Sequence, residues 1–170
     1  MRYPMIFVLT LFLGACAHVP DTRDSADVAA IKTVVTTLQR SLANRDRDGY
    51  LSSFLTNNAG RQSVLDDFQL ARERRKNPQA TRAQVDQSNT HIAFIENVLR
   101  NPKIGGAADP PVFPISVETD GDVASASQEY RYFFDGRELH RGRIFWLLVK
   151  TEAGWKITAS AYSKKQPGTP

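Results

Sequence analysis

Near residue 112 the apolar residues of this chain change their spacing, and that change sets the fold class. Before it they recur at helical intervals; after it they alternate, or run together, as strands do. Val28, Ile31, Val35, Leu38 and Leu42 share one helix face, with Val34 beside them, behind a cap at Asp24 or Ser25. Tyr50, Leu51, Phe54 and Leu55 mark a second, short helix, ended by residues 56–60. Val64, Leu65, Phe68 and Ala71 predict a third, stopped by Pro78, whose basic C-terminal run 72–76 reads as a solvated helix end. Thr81 to Gln84 has capping-box spacing, and Val85, Ser88, Ile92, Ile95 and Leu99 predict a fourth helix closed by Asn101-Pro102. Residues 102–114 hold two glycines and four prolines and read as a loop.

Beyond the loop, 112–118 is a candidate strand and Gly121-Asp122 a turn. Residues 123–134 form a long strand, Asp135-Gly136 is a two-residue hairpin signal, and 139–150 is the partner. Ala153-Gly154 turns into a last strand, 155–163. Helices followed by an antiparallel meander define an α+β domain over 25–163, with 164–170 as a frayed tail. Residues 144–149, Ile-Phe-Trp-Leu-Leu-Val, are apolar at both parities. A strand wet on one side alternates, so this one needs two covers. The helices supply one. A second subunit, a segment of the same chain or a membrane-proximal partner supplies the other, in that order of preference.

The N-terminus stands apart. Arg2, an apolar run over 6–13 and the small residues Gly14 and Ala15 make a secretory signal over 1–15, too short to span a bilayer. Leu13-Gly14-Ala15-Cys16 resembles the bacterial lipobox, and Cys16 is the only cysteine. The resemblance implies a lipidated Cys16 and a short tether, 16–24, placing the protein in the cell envelope by a membrane anchor. More than one acyl chain makes such an anchor stable. Ala17, one position on, is the residue type that in such lipoproteins favours the outer membrane, facing the periplasm. The alternative is an ordinary secretory signal beside an incidental cysteine. A formal net charge of +4, including Arg2 of the signal, is too mild to argue for nucleic acid.

The segment "LANRDRDGYLSSFLTNNA" and the helix before it resemble the opening of the nuclear transport factor 2-like, or SnoaL-like, superfamily. So does the C-terminal third. Gly121, Asp122, Ala124, Gly142, Gly154, Trp155, Lys156 and Ile157 match that superfamily's entries to its last strands in order and spacing. Residues 60–110 depart from it, with two helices where many members place a short helix and a first strand pair. The resemblance implies a cone: N-terminal helices packed in the concave face of a curved antiparallel sheet, a small apolar ligand in its mouth, and a homodimer through the outer face. The superfamily hosts isomerases, dehydratases, hydrolases and binders, so fold alone does not choose. No position matches a catalytic motif of the superfamily, and no catalytic role is carried over.

Read without the resemblance, the hairpin offers the best constellation. A two-residue turn sets Phe134 opposite Arg137, Tyr132 opposite Leu139 and Tyr130 opposite Arg141, and gathers Glu129, Arg131 and His140 on the other face. That trio is either a proton-transfer site or a cross-strand charge ladder; the ladder is the commoner outcome. Tyr50, Phe54, Tyr130, Tyr132 and Trp146 are the candidates for ligand or interface contact, and equally for core. His91 lies off its helix's apolar stripe and reads as solvent-facing, His18 belongs to the tether, and scattered histidines give no metal site. Asp66-Asp67 reads as a helix-surface pair. No phosphate loop or nucleophile elbow is present, and no cofactor is implied. The expectation is a lipid-anchored envelope protein that binds a small apolar ligand or an envelope protein without catalysis. The alternatives are a dehydratase or isomerase drawing its base from Glu129 or His140, and a purely structural accessory.

Overall fold

The computed structural model describes residues 22–84, 90–105 and 112–168. The signal sequence, Cys16 and most of the tether lie outside the described residues, as do Val85 and Ser88 of the expected fourth helix. In chain order the elements are α1 (Thr22–Ala43), α2 (Arg47–Ser52), β1 (Gly60–Leu65), α3 (Asp67–Arg74) and β2 (Ala83–Gln84). Then come α4 (His91–Arg100), β3 (Ser116–Thr119), β4 (Val123–Phe134), β5 (Arg137–Thr151) and β6 (Gly154–Lys164). No helix among the described residues is long and apolar enough to cross a membrane.

The strands form one sheet in the order β2-β1-β6-β5-β4-β3. All neighbours are antiparallel except β1 and β6, which run parallel from Gly60↔Ala159 to Leu65↔Lys164. The meander follows its turn chemistry. Asp135 and Gly136 both take positive φ, 52° and 73°, as a hairpin turn matching strand twist requires. Helix α1 lays Ile31, Val35 and Leu38, all nearly inaccessible, against the sheet. Facing them are Ala124, Ala126, Trp146, Leu148 and Ile157. Each large aliphatic side chain so buried contributes about 1.5–3 kcal/mol, enough to override the modest helix propensity of a β-branched stripe.

The double parity of β5 is resolved in space. Trp146 and Leu148 are buried at 3% and 0% exposure, whereas Phe145 and Leu147 on the outer face are 49% and 54% exposed. Val123 of β4 extends that outer patch.

Several expectations need correction. Residues 60–65 are a strand, so Val64 and Leu65 do not open the third helix as expected. Ser63 and Leu65 turn inward and Val64 outward, and pairing with β6 satisfies the backbone that a helix would have satisfied internally. Asp66 is the N-cap of α3, its side chain accepting from the Gln69 amide, so the acidic pair caps the helix and does not merely decorate it. The capping-box residues Thr81–Gln84 lead into β2, and the fourth helix begins at His91 with Thr90 as its cap. The middle of the chain thus holds the two expected helices, as α3 and α4, together with a strand pair, β1 and β2, that was not expected. Lys165 bridges to Arg141 and the Gln166 amide donates to Asp66, so the expected frayed tail is tied down at its start.

Candidate functional site

A cleft of about 700 Å³ opens between α1, α4 and β4, within the size range of small-molecule sites. Leu42 of α1, Phe94 and Val98 of α4 and Ile104 beyond it supply apolar wall; Tyr130 and Tyr132 of β4 supply amphipathic wall. Arg45 organises the rim. It holds a positive φ of 56°, and its guanidinium donates to the carbonyls of Val98, Pro102 and Ile104, capping α4. Gln128 sits in the floor at 5% exposure. Its carbonyl accepts from Gln39 and its amide donates to the Phe113 carbonyl.

The aromatic end of the cleft is built by a register shift. A bulge between Tyr132 and Phe133 places Tyr132 opposite His140 and Tyr130 opposite Gly142, not opposite Leu139 and Arg141 as a regular ladder predicts. The extra residue moves His140 to the inner face. There it stacks on Tyr132, with centroids 4.7 Å apart and planes 5° apart. The Tyr130 hydroxyl donates to the Ser163 carbonyl at 2.8 Å and lies 3.1 Å from His140 Nδ1. With that phenolic hydrogen committed, Nδ1–H must donate to the Tyr130 oxygen, which fixes the neutral Nδ1–H tautomer. Burial pushes His140 down to about 3, assisted by the positive charges of Lys164, Arg61 and Arg72.

The expected trio is therefore divided. Glu129 lies at the edge of the cleft, 3.5 Å from Arg143. Arg131 joins Glu138, which also holds Arg141 at 2.7 Å. These form the charge ladder, and His140 has no part in it. Tyr50, Phe54 and Trp146 lie in the hydrophobic core, each 6% exposed or less; only Tyr130 and Tyr132 of the five aromatic candidates line the cleft.

His91, expected in solvent, is 2% exposed. Because α4 starts at His91, its buried stripe is His91, Ile95 and Val98, a phase that a helix begun ten residues earlier conceals. The ring bridges three elements. Nδ1 lies 2.6 Å from the Tyr50 hydroxyl of α2, and Nε2 lies 2.9 Å from Ser160 Oγ of β6. Burial pushes this imidazole down to about 3 and the Tyr50 phenol up. Tyr50 donating to Nδ1, and Nε2–H to Ser160, satisfies both ring nitrogens of a neutral imidazole. Its place in the core makes it a cross-brace.

On the wall beside the cleft, Arg61 of β1 lies between two rings. Its guanidinium carbon is 4.1 Å from the Phe94 centroid and 4.3 Å from that of Tyr162. The resemblance gave no signal for Arg61, because its strand was read as helix.

No protein-family model matches the chain, and no curated protein matches it. Solved structures do. A nuclear transport factor 2-like protein of unknown function from Silicibacter pomeroyi is 20% identical with a TM-score of 0.55, covering 84% of this chain and 98% of its own. One from Shewanella baltica, also of unknown function, is 15% identical at a TM-score of 0.59, over 83% and 95%. A third, from Novosphingobium aromaticivorans with a cystatin-like fold, is 12% identical at 0.54, over 86% of each chain. At such identities the likeness is one of fold: the chain has the nuclear transport factor 2-like cone.

Proposed function

We propose that this protein is a lipid-anchored envelope protein whose cone takes up a small, largely apolar ligand in the cleft between α1, α4 and β4. The observation that carries the reading is the composition of that cleft. Its wall joins aliphatic and aromatic side chains to a charged rim of Arg40, Arg45, Glu129 and Arg131, and the polar Gln39, Gln128 and Tyr130 are held by hydrogen bonds within the protein. Prearranged polar groups in an apolar wall orient a ligand without a cost of reorganisation.

The enzymatic reading has less support. Glu129, at the edge of the cleft, is exposed and paired with Arg143, and an imidazole pushed down to about 3 is a weak proton acceptor near neutral pH. The anchor at Cys16 and an outer-membrane location belong to this proposal through the lipobox resemblance alone. The outer patch of Val123, Phe145 and Leu147 supports self-association as the second cover of β5.

Thermal unfolding with a panel of flat hydrophobic compounds tests ligand uptake, with Val98→Glu as the control that fills and charges the cleft. A ligand at a hundred times its dissociation constant adds about 2.7 kcal/mol of stability, a readily measured rise in melting temperature. No rise with any compound, or an equal rise in the Val98→Glu variant, sinks the reading. Mass spectrometry of the membrane-extracted chain tests the anchor; an unmodified Cys16 thiol sinks that part.

A further inference from the structure

Arg61 is a half-buried cation with no carboxylate partner among the described residues. It rises from β1 on the inner face, opposite Ser160 in register. Its guanidinium lies over the rings of both Phe94 and Tyr162. Those rings stabilise the cation but accept none of its N–H groups in the way an oxygen would. Among the described residues no carboxylate lies within ion-pair distance of Arg61, and no hydrogen bond engages its guanidinium.

A second cation shares the same ring. The Lys164 ammonium is 5.5 Å from the Tyr162 centroid and likewise has no carboxylate partner among the described residues. Two positive charges on one partly desolvated aromatic ring repel each other, and the repulsion grows as water is excluded. Their field reaches the neighbouring groups: burial lowers His140 and both cations add to that, while Arg61 opposes the burial that raises Tyr130 and Tyr132. Arg47 pairs with Glu96, Arg141 with Glu138 and Lys150 with Asp27, whereas the two cations of this inner wall have no such carboxylate among the described residues.

This wall adjoins the cleft. Phe94 lines the cleft and also carries the Arg61 guanidinium, while Tyr130 joins the cleft wall to Tyr162 through an edge-to-face contact at 5.9 Å. We infer that the cleft's ligand is an amphipathic organic anion, its apolar body between α1 and α4 and its carboxylate on Arg61, with Lys164 as the second cation. The two rings leave the guanidinium N–H groups without an oxygen acceptor among the described residues, and a planar guanidinium grips a carboxylate by two hydrogen bonds.

The inference rests on the cleft being a ligand site, so the test separates the two. Calorimetric titration of the full chain compares 2-naphthoate with its neutral counterpart 2-naphthalenemethanol, in low and high salt. We expect the carboxylate to bind tighter by about tenfold or more, as a charge-assisted contact implies, and the margin to shrink in salt. Arg61→Gln should erase that margin and leave the alcohol's affinity within about twofold, which also shows that the variant is folded. Arg61→Lys should keep part of the margin, and Lys164→Gln should reduce it. Equal binding of the two probes to the parent protein overturns the inference while the cleft reading stands. So does a margin that survives Arg61→Gln. Binding of neither probe overturns both.

Discussion

Trp155 and Asp27 lie 128 residues apart in the chain, and the indole Nε1–H donates to the carboxylate at 3.0 Å. The Lys150 ammonium sits 2.9 Å from the same oxygen. Helix α1 is thereby pinned by its first turns to both β5 and β6, which fixes the angle at which its apolar stripe crosses the sheet. Trp146 is equally buried, yet its Nε1 has no partner among the described residues. The two indoles predict different outcomes for one substitution. Trp146→Phe loses ring area but also removes an unpaired donor whose burial costs about 1–3 kcal/mol, so its net effect should stay within about 1 kcal/mol. Trp155→Phe loses a charge-assisted bond and should be plainly less stable in urea unfolding. Equal midpoints for the two variants would contradict this assignment.

His91 makes stability depend on pH in a stated direction. Its folded value is about 3 against an ordinary 6.5. Between those values the unfolded chain binds the extra proton, so stability is full above pH 6.5 and falls as pH drops toward 3. At pH 5 this one group should remove about 2 kcal/mol relative to pH 7.5. His140 is shifted the same way. His91→Gln should be less stable at neutral pH and show a shallower decline, measured by urea unfolding at pH 5, 6 and 7. A decline of unchanged slope would falsify the assignment.

Gly142 stands where β6 leaves no room for a side chain. A methyl group there would stand 2.1 Å from the Ser163 carbonyl oxygen, the oxygen that accepts from Tyr130. Gly142→Ala should destabilise the fold by about 1–3 kcal/mol through overpacking and also break the Tyr130–Ser163 bond. Tyr130→Phe removes that bond without the clash and should cost about 1 kcal/mol. If Gly142→Ala proves no worse than Tyr130→Phe, the close approach is not the reason for the glycine.

The outer face makes a prediction about association. Leu147 is 54% exposed beside Phe145 and Val123. Leu147→Glu should convert a dimer to a monomer by sedimentation, with circular dichroism unchanged. A parent chain that sediments as a monomer at high concentration would remove self-association from the proposal.

How much of this could be read in the residues follows from where the interactions are local. The bounds of β4 and the Asp135-Gly136 turn were plain, because two φ-positive residues between alternating strands leave few alternatives. The α1 stripe was plain for the same reason. β1 was not. Its Arg61, Gln62 and Ser63 carry no apolar alternation, and it becomes a strand because β6, a hundred residues on, supplies its hydrogen bonds. The hidden strand also concealed Arg61. The bulge after Tyr132 has no glycine to announce it, so His140 was assigned to the wrong face. His91 was misplaced through an error in helix phase alone.

The parallel seam between β1 and β6 constrains the order of assembly. Gly60 can acquire its neighbour Ala159 only when the chain has grown past residue 159, and closing so long a loop is slow. The early helices must wait, half-built, with their oily stripe uncovered. However the chain is delivered to its destination, a growing or threading end that stalled short of residue 154 would leave a sticky fragment for chaperones and proteases to dispose of. The last ten residues of the sheet act as the clasp.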